Sequence, residues 1–542
     1  MMTKIVAAIM LDTVEQGLAA ASRARQLGAQ MVEFRIDRIA GLDTARIQEL
    51  RKLVADSPLP CIITCRPTWE GGEYQGDEQT RVSLLEHLGT SEKVPAYVDM
   101  ELAAYAGSSN LRQKVNLIVD HPGQMRKIGT ALILSSHDFQ ARPADWHARM
   151  QAMLNAPACR VAKLAWKGQE GDLRDNLLAL DMVKMAVEGK AITALVMGEG
   201  GLLSRVLGKK AGAFLTFAAL NEQNGTAPGQ PTIDELKNRY GWDKISQQTK
   251  VYGLIGWPVS HSLGPVIHNA GFRQVGFDGV YLPMPVAPDW EQFKNNLQAM
   301  LDHDILGLAG VSVTLPHKEH LVRFIKERQD KRDQMDPLVE KVGAANTLVV
   351  RDDGSLEVRN TDYEGALRAL CDGMGIKTVN EIAGVNVAVL GAGGAARAVI
   401  AGLAAHGAHV VVYGRTKSKV QTLVHSLNGQ FKGSILAADW QELSTGTKNH
   451  QVYVNCTPVG MYPNVQQMPV ELQVIQQWEP GTVVFDTIYN PAQTQLLKQA
   501  QTRGCVTISG LEMFVRQAAL QFHAWTGRPG PIDLFRQVLS AR

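Results

Sequence analysis

Glu33, Arg35 and Asp37 occupy alternate positions in one short stretch, with Val32, Phe34 and Ile36 between them. Strand side chains alternate with a period of two, so the three charges share one face. Such a face reads as a ligand site near an open barrel end or as a buried structural ion pair. Lys163 lies in Arg160-Val-Ala-Lys-Leu-Ala-Trp166. An ammonium buried among apolar neighbours is costly, and the usual response is a lowered pKa. A neutral amine is the nucleophile that Schiff-base chemistry needs; the alternative is an edge-strand lysine whose head reaches water. His137, in Ser135-Ser-His-Asp138, offers proton transfer near neutral pH, or stands beside a helix cap. Arg66 and Glu70, Arg205, and the segment Thr226–Gln230 each follow a strand-like stretch.

The second half carries a different set. An apolar strand, Val385–Leu390, runs directly into Gly391-Ala-Gly-Gly-Ala-Ala-Arg397 and a helix. That arrangement offers backbone N–H groups to a pyrophosphate. The next strand ends in Tyr413-Gly-Arg415-Thr416, with Arg415 where an acidic residue would bind the ribose hydroxyl of NAD. An arginine suits the 2′-phosphate of NADP, or is an ordinary surface charge. Upstream lie Gly256-Trp-Pro-Val-Ser-His-Ser262, Val313-Thr-Leu-Pro-His-Lys318, Gly343-Ala-Ala-Asn-Thr347 and Asn360-Thr-Asp362. Singly, these motifs are ordinary loop and cap chemistry.

The elements that must position these groups follow an α/β alternation. Strand candidates are Ile5–Met10, Met31–Ile36, Cys61–Cys65, Ala96–Glu101, Ala131–Ser136, Cys159–Ala165, Ile192–Met197 and Phe214–Ala218. Helical patterns such as Thr13–Leu27, Asp43–Ala55 and Leu173–Glu188 lie between them, and Val115–Val119 is assigned to a helix to keep the alternation. Eight βα units fit a (β/α)8 TIM barrel, whose sites gather at the C-terminal mouth. Gln230–Lys250 reads as a polar helix plus linker. Strands at Val251–Ile255, Val280–Pro283, Gly310–Val313, Val385–Leu390, His409–Tyr413, Val452–Asn455 and Val483–Asp486 continue into a doubly wound, Rossmann-type unit.

The chain has 542 residues, too many for one core, and three domains are expected. Net charge is +2, from 55 basic and 53 acidic residues, so no large field favours nucleic acid or an anionic membrane. The six cysteines form no C-x-x-C pair and none has a histidine at metal-ligand spacing. No metal site is expected. The N-terminus lacks a secretory pattern and no apolar run reaches membrane-spanning length; the cytoplasm is the expected location.

As an ordered series, Glu33-x-Arg35-x-Asp37, Arg66-x-x-x-Glu70-Gly-Gly72, Asp99-x-Glu101, Ser136-His-Asp138, Lys163, Met197, Ser204-Arg205 and Ala227-Pro-Gly-Gln230 resemble the type I 3-dehydroquinate dehydratases. The resemblance implies a TIM barrel over residues 1–232. Lys163 would form an imine with the C3 ketone, and His137 would remove a C2 proton and later protonate the departing C1 hydroxyl. Glu70 would orient His137, and Arg205 would hold the carboxylate. Glu33, Arg35, Arg66, Met197, Thr226 and Gln230 would line the ring. An iminium is a better electron sink than a ketone, which acidifies the neighbouring C–H.

The second series, with Asn455-Cys-Thr457, Gly460-Met461, Asp486-x-x-Tyr489-Asn-Pro491 and Gly510-Leu-Glu-Met-Phe-Val-Arg-Gln517, resembles the shikimate dehydrogenases. That implies a shikimate-binding domain over 250–370, completed by helices in 511–542, and an NADP domain over 371–510. Lys318 and Asp362 would be the catalytic pair. Ser262, Gly264, Thr314, Asn346, Tyr489, Gln517 and Gln521 would meet the substrate. Gly391, Ala392, Gly393, Gly394, Ala395, Arg415, Thr416, Thr457 and Gly510 would meet NADP. The family's usual Ser-x-Ser is Ser262-Leu-Gly264 here, and its Asn-Arg-Thr is Gly414-Arg-Thr416. A lost serine hydroxyl at 264 is expected to weaken shikimate binding and to open space beside C1 that would admit quinate. Other readings are a Schiff-base aldolase for the first half and a metabolite-binding regulator with degenerate sites.

Overall fold

The computed structural model describes residues 2–125, 127–223, 225–227, 229–444 and 450–541. It divides into two compact units, Met1–Pro265 with Asp278–Leu308, and Val266–Phe277 with Ala309–Arg542.

The first unit opens with eight parallel strands: β1 (Lys4–Met10), β2 (Met31–Arg35), β3 (Cys61–Thr64), β4 (Tyr97–Glu101), β5 (Ala131–Asp138), β6 (Cys159–Lys167), β7 (Ala191–Met197) and β8 (Leu215–Ala218). They run in the order β7-β6-β5-β4-β3-β2-β1-β8. Between the end strands, Phe214 N–H donates to Ile192 O at 2.9 Å and Leu215 N–H to Thr193 Oγ1 at 3.3 Å, so the barrel is nearly closed. The connecting helices follow local rules. Helix Val14–Leu27 starts at Thr13, whose hydroxyl accepts from Gln16 N–H, and stops at Gly28 with φ of +91°, a left-handed conformation that glycine adopts without a Cβ penalty. Val115 lies in helix Ser109–Leu117, which preserves the alternation.

Part of the barrel interior is apolar, with Val6, Ala8, Met31, Ile62, Ile133, Val161, Leu195 and Phe217 packed together. Other inward positions carry buried charge: Glu33, Arg35, Asp99, Glu101 and Lys163. After β8 the chain does not run as a solvated linker. Ile233, Leu236, Tyr240, Trp242 and Ile245 are buried, within and around the short helices Glu235–Arg239 and Trp242–Lys244. Lys209 and Lys210 tie this segment down by donating to the carbonyls of Trp242, Gln247 and Thr249. The expectation of a polar linker is corrected: widely spaced apolar residues suffice to pack short non-α turns. β9 (Lys250–Gly256) and β10 (Gly279–Pro285) pair in parallel within the same unit.

The second unit holds β11 (Leu308–Val313), β12 (Gln334–Met335), β13 (Thr347–Val350) and β14 (Leu356–Arg359). β13 runs antiparallel to both β11 and β14. Six parallel strands follow: β15 (Asn386–Leu390), β16 (His409–Tyr413), β17 (Ile435–Ala438), β18 (Val452–Asn455), β19 (Val483–Asp486) and β20 (Val506–Ile508). Their order is β17-β16-β15-β18-β19-β20. The chain reverses direction across the sheet between β15 and β18, the place where doubly wound sheets bind ligands. Helices Thr361–Met374 and Gly510–Thr526 pack closely at Gly365, where a Cβ would lie 2.9 Å from the backbone nitrogen of Gln517.

Candidate active sites

At the barrel mouth one cavity is lined by Glu33, Arg35, Arg66, Glu70, His137, Lys163, Met197, Arg205, Thr226 and Gln230. These ten residues come from six strands or the segments after them. Pro228 of the last loop lies outside the described residues.

Lys163 is not isolated among apolar groups. Its Nζ lies 3.0 Å from Asp99 Oδ2, 3.8 Å from Glu33 Oε1 and 4.4 Å from the ring centre of Phe217. The expectation of purely apolar neighbours around this amine is thereby corrected. Strand alternation brings inward carboxylates from β2 and β4 to the lysine of β6, and the ammonium is ion-paired. Asp99 also accepts from Arg66 at 2.8 Å and from Ser135 Oγ at 2.5 Å. Burial works to raise the Asp99 pKa, but the charges of Arg66 and Lys163 outweigh it and hold the carboxyl well below its ordinary value.

His137 and Glu70 form a second pair. Glu70 Oε1 lies 2.9 Å from His137 Nδ1 and accepts the His137 backbone N–H at 2.7 Å. Burial pushes Glu70 up to about 8, against the pull of Arg66. Burial, with the positive charges of Arg66 and Lys163, pushes His137 well below its ordinary value. The imidazole is therefore neutral near pH 7 and backed by a carboxyl able to hold a proton.

Arg205 is fully buried, and its guanidinium has no hydrogen-bond or ion-pair partner among the described residues. Burial lowers its pKa to about 10. Gln230 accepts from Thr226 N–H and Oγ1 at 3.0 and 3.2 Å, which leaves its buried Nε2 without a partner. Orphaned buried donors are rare in folded proteins. Two of them lining one cavity mark where an anionic, oxygen-rich molecule fits.

Sequence reasoning missed the support beneath these groups. Arg81 is fully buried and meets Glu101 Oε2 and Glu78 Oε2 at 2.6 Å each, and the Cys65 carbonyl at 2.8 Å. Glu101 in turn holds Arg66 at 2.6 Å. Arg81 sits among polar residues in a surface-type helix pattern, so its sequence context carried no signal. Phe217 could have been found from its alternation on β8. Asp37 is not a ligand group: its carboxylate grips Arg35 and the backbone N–H groups of Arg66 and Glu73.

In the second unit, Lys318 Nζ and Asp362 Oδ2 are 2.6 Å apart. Asp362 lies in the first turn of helix Thr361–Met374, whose cap Asn360 accepts the Asp362 N–H at 3.1 Å. A carboxylate is favoured there by the helix dipole. Asn346 reaches Thr361 Oγ1 at 3.0 Å and Gln517 Oε1 at 3.5 Å. Thr314 is half-buried at the turn before Lys318, and its carbonyl accepts the His317 N–H. Gln521 is already engaged: it donates to Asn346 O and Thr347 Oγ1 at 3.1 Å and accepts from Ser312 Oγ at 2.9 Å. Tyr489 is stacked on Phe514, ring centres 5.2 Å apart, and is partly exposed.

The glycine loop follows β15. Gly391 has φ of +113°, and its N–H donates to Tyr413 O at 2.7 Å. Gly393 and Gly394 are exposed, and a Cβ on either would meet nothing within 4 Å. Ala392 and Ala395 flank them, half-buried, at the start of helix Gly394–Ala405. Arg415 and Thr416 are exposed beyond β16, and Arg415 has no ion-pair or hydrogen-bond partner among the described residues. Thr457 is braced by Asn455, itself bonded to Asp486. Gly510 lies against Thr487 O, 2.4 Å from where a Cβ would be.

In the first unit, Ser262 Oγ accepts the Gly264 N–H at 3.2 Å. The space expected beside Gly264 is not open. A Cβ there would lie 3.2 Å from both Cε1 and Oη of Tyr281. The phenol of β10 therefore stands close to the side-chain position at 264.

Comparison with known proteins finds matches over both parts of the chain. Residues 5–247 match the family model for type I 3-dehydroquinase. Residues 254–348 match the shikimate dehydrogenase substrate binding domain, 374–487 shikimate / quinate 5-dehydrogenase, and 510–539 the shikimate 5′-dehydrogenase C-terminal domain. The bifunctional 3-dehydroquinate dehydratase/shikimate dehydrogenase of Arabidopsis thaliana, a chloroplastic protein, is 35% identical over 99% of this chain and 84% of its own length. The chain belongs to the bifunctional 3-dehydroquinate dehydratase/shikimate dehydrogenase family. The shikimate dehydrogenase (NADP(+)) of Methanopyrus kandleri is 37% identical over 54% of this chain and 96% of its own length. A Listeria monocytogenes shikimate 5-dehydrogenase structure aligns over 54% of this chain and 98% of its own, with 30% identity and a TM-score of 0.48. Among the described residues no helix is long and apolar enough to cross a membrane.

Proposed function

We propose that the barrel dehydrates 3-dehydroquinate through an imine on Lys163, and that the second set reduces the resulting 3-dehydroshikimate with NADPH. The observation that carries the first step is the ion-paired Lys163 sharing a cavity with the His137–Glu70 pair and the unpartnered Arg205. Arg205 and Gln230 meet the carboxylate and ring hydroxyls. Attack requires a neutral amine. Asp99, held strongly acidic, is a poor proton store. The pair His137–Glu70 is a better one, because Glu70 takes up a proton near neutral pH. His137 then removes the C2 proton from the iminium and returns a proton to the departing hydroxyl. Arg205 and the loop Thr226–Gln230 suit a carboxylate better than the phosphate of an aldolase substrate. Borohydride reduction in the presence of 3-dehydroquinate is expected to add mass to the peptide containing Lys163. Labelling elsewhere, or full dehydratase activity in Lys163→Ala, contradicts this step.

For the reduction, the cradle fits a dinucleotide. Two adjacent glycines open onto free space at a helix N-terminus, and an unpaired Arg415 stands beyond the next strand. Gly391–Ala395 would hold the pyrophosphate, Arg415 and Thr416 the 2′-phosphate, and Thr457 and Gly510 the nicotinamide end. NADPH supplies the hydride when bound. Lys318, oriented by Asp362, holds the proton for the oxygen of the carbonyl being reduced, while Asn346 and Gln517 meet ring hydroxyls. A charge-assisted bond is worth about 1.5–3 kcal/mol, or roughly ten- to a hundredfold in affinity. Equal efficiency with NADH and NADPH contradicts the role given to Arg415. The six free cysteines, five of them buried, support a reducing compartment such as the cytoplasm.

A further inference from the structure

Five buried charges alternate in sign between the helix Glu78–Gly89 and the amine of the dehydratase cavity. Arg81 meets Glu101 Oε2 at 2.6 Å, and Glu101 Oε1 meets Arg66 at 2.6 Å. Arg66 reaches Asp99 Oδ1 at 2.8 Å, and Asp99 Oδ2 stands 3.0 Å from Lys163 Nζ. None of the five side chains is more than 6% exposed. Arg66 and Lys163 line the cavity; Arg81 and Glu101 lie behind it. The Arg81 guanidinium serves three acceptors: Glu101, the Cys65 carbonyl at 2.8 Å and Glu78 of its own helix at 2.6 Å. Cys65 directly precedes Arg66. Arg81 thus fixes Arg66 twice, through the carboxylate that its side chain grips and through the backbone before it. A planar fork of donors suits this task, and a point charge on a flexible stem does not. A staple between helix and barrel would need only the carbonyl. It would not need to be the second counter-ion of a carboxylate that holds a cavity residue.

Resting on the dehydratase reading of the barrel, we propose that Arg81 is a positioning residue: it balances the charge of Glu101, holds Arg66 in place, and so sets the protonation of the His137–Glu70 pair. The groups whose charge acts on His137 are Glu70, in contact with it, and Arg66, Lys163, Asp99 and Arg35. Burial and then the positive charges of Arg66 and Lys163 keep the imidazole below its ordinary value, against the pull of Asp99. Burial raises Glu70 to about 8, Arg66 pulls it down and Glu101 pushes it up. Without Arg81, Glu101 has one counter-ion instead of two. The added negative field favours the protonated forms of both His137 and Glu70.

The test uses the full chain with Arg81→Met, Arg81→Lys, Glu101→Gln and the double substitution Arg81→Met with Glu101→Gln. Dehydratase kcat/KM for 3-dehydroquinate is followed against pH by the ultraviolet absorbance of the conjugated product. In Arg81→Met the acid limb, set by His137, is expected to move up by roughly one pH unit, the scale of one charge acting across a protein interior. Arg81→Lys keeps the charge and loses the fork, so its limb should stay near the native one while kcat falls. Glu101→Gln should move the limb down, and adding Arg81→Met should bring it back up by roughly one unit. An arginine with only a structural role would lower Tm in these chains and leave every limb in place. A native limb in Arg81→Met overturns the proposal, as does a limb that moves equally far in Arg81→Lys. Should Arg81→Met fail to fold because its buried carboxylate has lost a partner, the double variant buries no such charge. It is then compared with Glu101→Gln, and identical limbs in the two overturn the proposal. A native chain that does not dehydrate 3-dehydroquinate contradicts the functional reading instead.

Discussion

At the scale of single residues, the dehydratase site combines groups that are costly for the empty protein. Arg205 is a buried cation with no counter-charge among the described residues, and burial drags its pKa down to about 10. Arg205→Met is therefore expected to raise Tm while raising the KM for 3-dehydroquinate roughly ten- to a hundredfold, the worth of a bond to a charged group. A lower Tm, or an unchanged KM, contradicts this; differential scanning calorimetry and steady-state kinetics read both. The pair His137–Glu70 sets the pH dependence. His137 acts as a base only when neutral, and its pKa is lowered, so the acid limb of dehydratase kcat/KM should lie well below pH 6.5. Glu70 is raised from 4.5 to about 8. Its folded form binds the proton more tightly than the unfolded chain does. The stability this contributes is full below about pH 4.5 and lost as pH rises through about 8. Glu70→Gln should remove that loss, so its stability relative to the native chain should improve as pH rises to 8 and beyond. The same residue types were legible in the sequence because each has a distinctive chemistry. Asp99, Ser135 and Arg81 carried less signal. Their roles depend on which side chains meet inside the barrel, and strand register decides that.

Among elements, glycines divide into two kinds. Gly393 and Gly394 face open space, so Gly394→Val is expected to fold with a native Tm yet weaken NADP binding at least about tenfold. Gly510 has the Thr487 carbonyl 2.4 Å from a Cβ position. Gly510→Ala should lower stability by about 1–3 kcal/mol, the usual cost of overpacking. Isothermal titration with NADP and denaturant unfolding separate the two cases. Equal behaviour of both variants contradicts the division. Strand positions in the barrel were readable because each apolar run is followed by a helical period. β12, β13, β14, β17 and β20 were not, since each is only two to four residues long and gives no periodicity to detect. Gly264 was misread for a related reason. A missing side chain is visible in the sequence, but the neighbour beside it, Tyr281, lies seventeen residues further along the chain.

Over the whole molecule, the segment after β8 is structural. Ile233, Leu236, Tyr240 and Trp242 are buried there, so a fragment ending at residue 230 strips apolar cover from the barrel. Burial of one such side chain stabilises by about 1.5–3 kcal/mol. A fragment 1–247 should be soluble and active as a dehydratase, whereas 1–230 should aggregate or unfold; equal solubility and activity contradict the packing argument. The central claim is that one chain runs two consecutive reactions at two chemically independent sites. The most direct test supplies 3-dehydroquinate and NADPH to the native chain, to Lys163→Ala and to Lys318→Ala, then repeats the assay with 3-dehydroshikimate. The account predicts that the native chain consumes NADPH with either substrate. Lys163→Ala should do so only with 3-dehydroshikimate. Lys318→Ala should accumulate 3-dehydroshikimate from 3-dehydroquinate and leave NADPH untouched. NADPH consumption from 3-dehydroquinate by Lys163→Ala, or failure of the native chain to form shikimate, would contradict it.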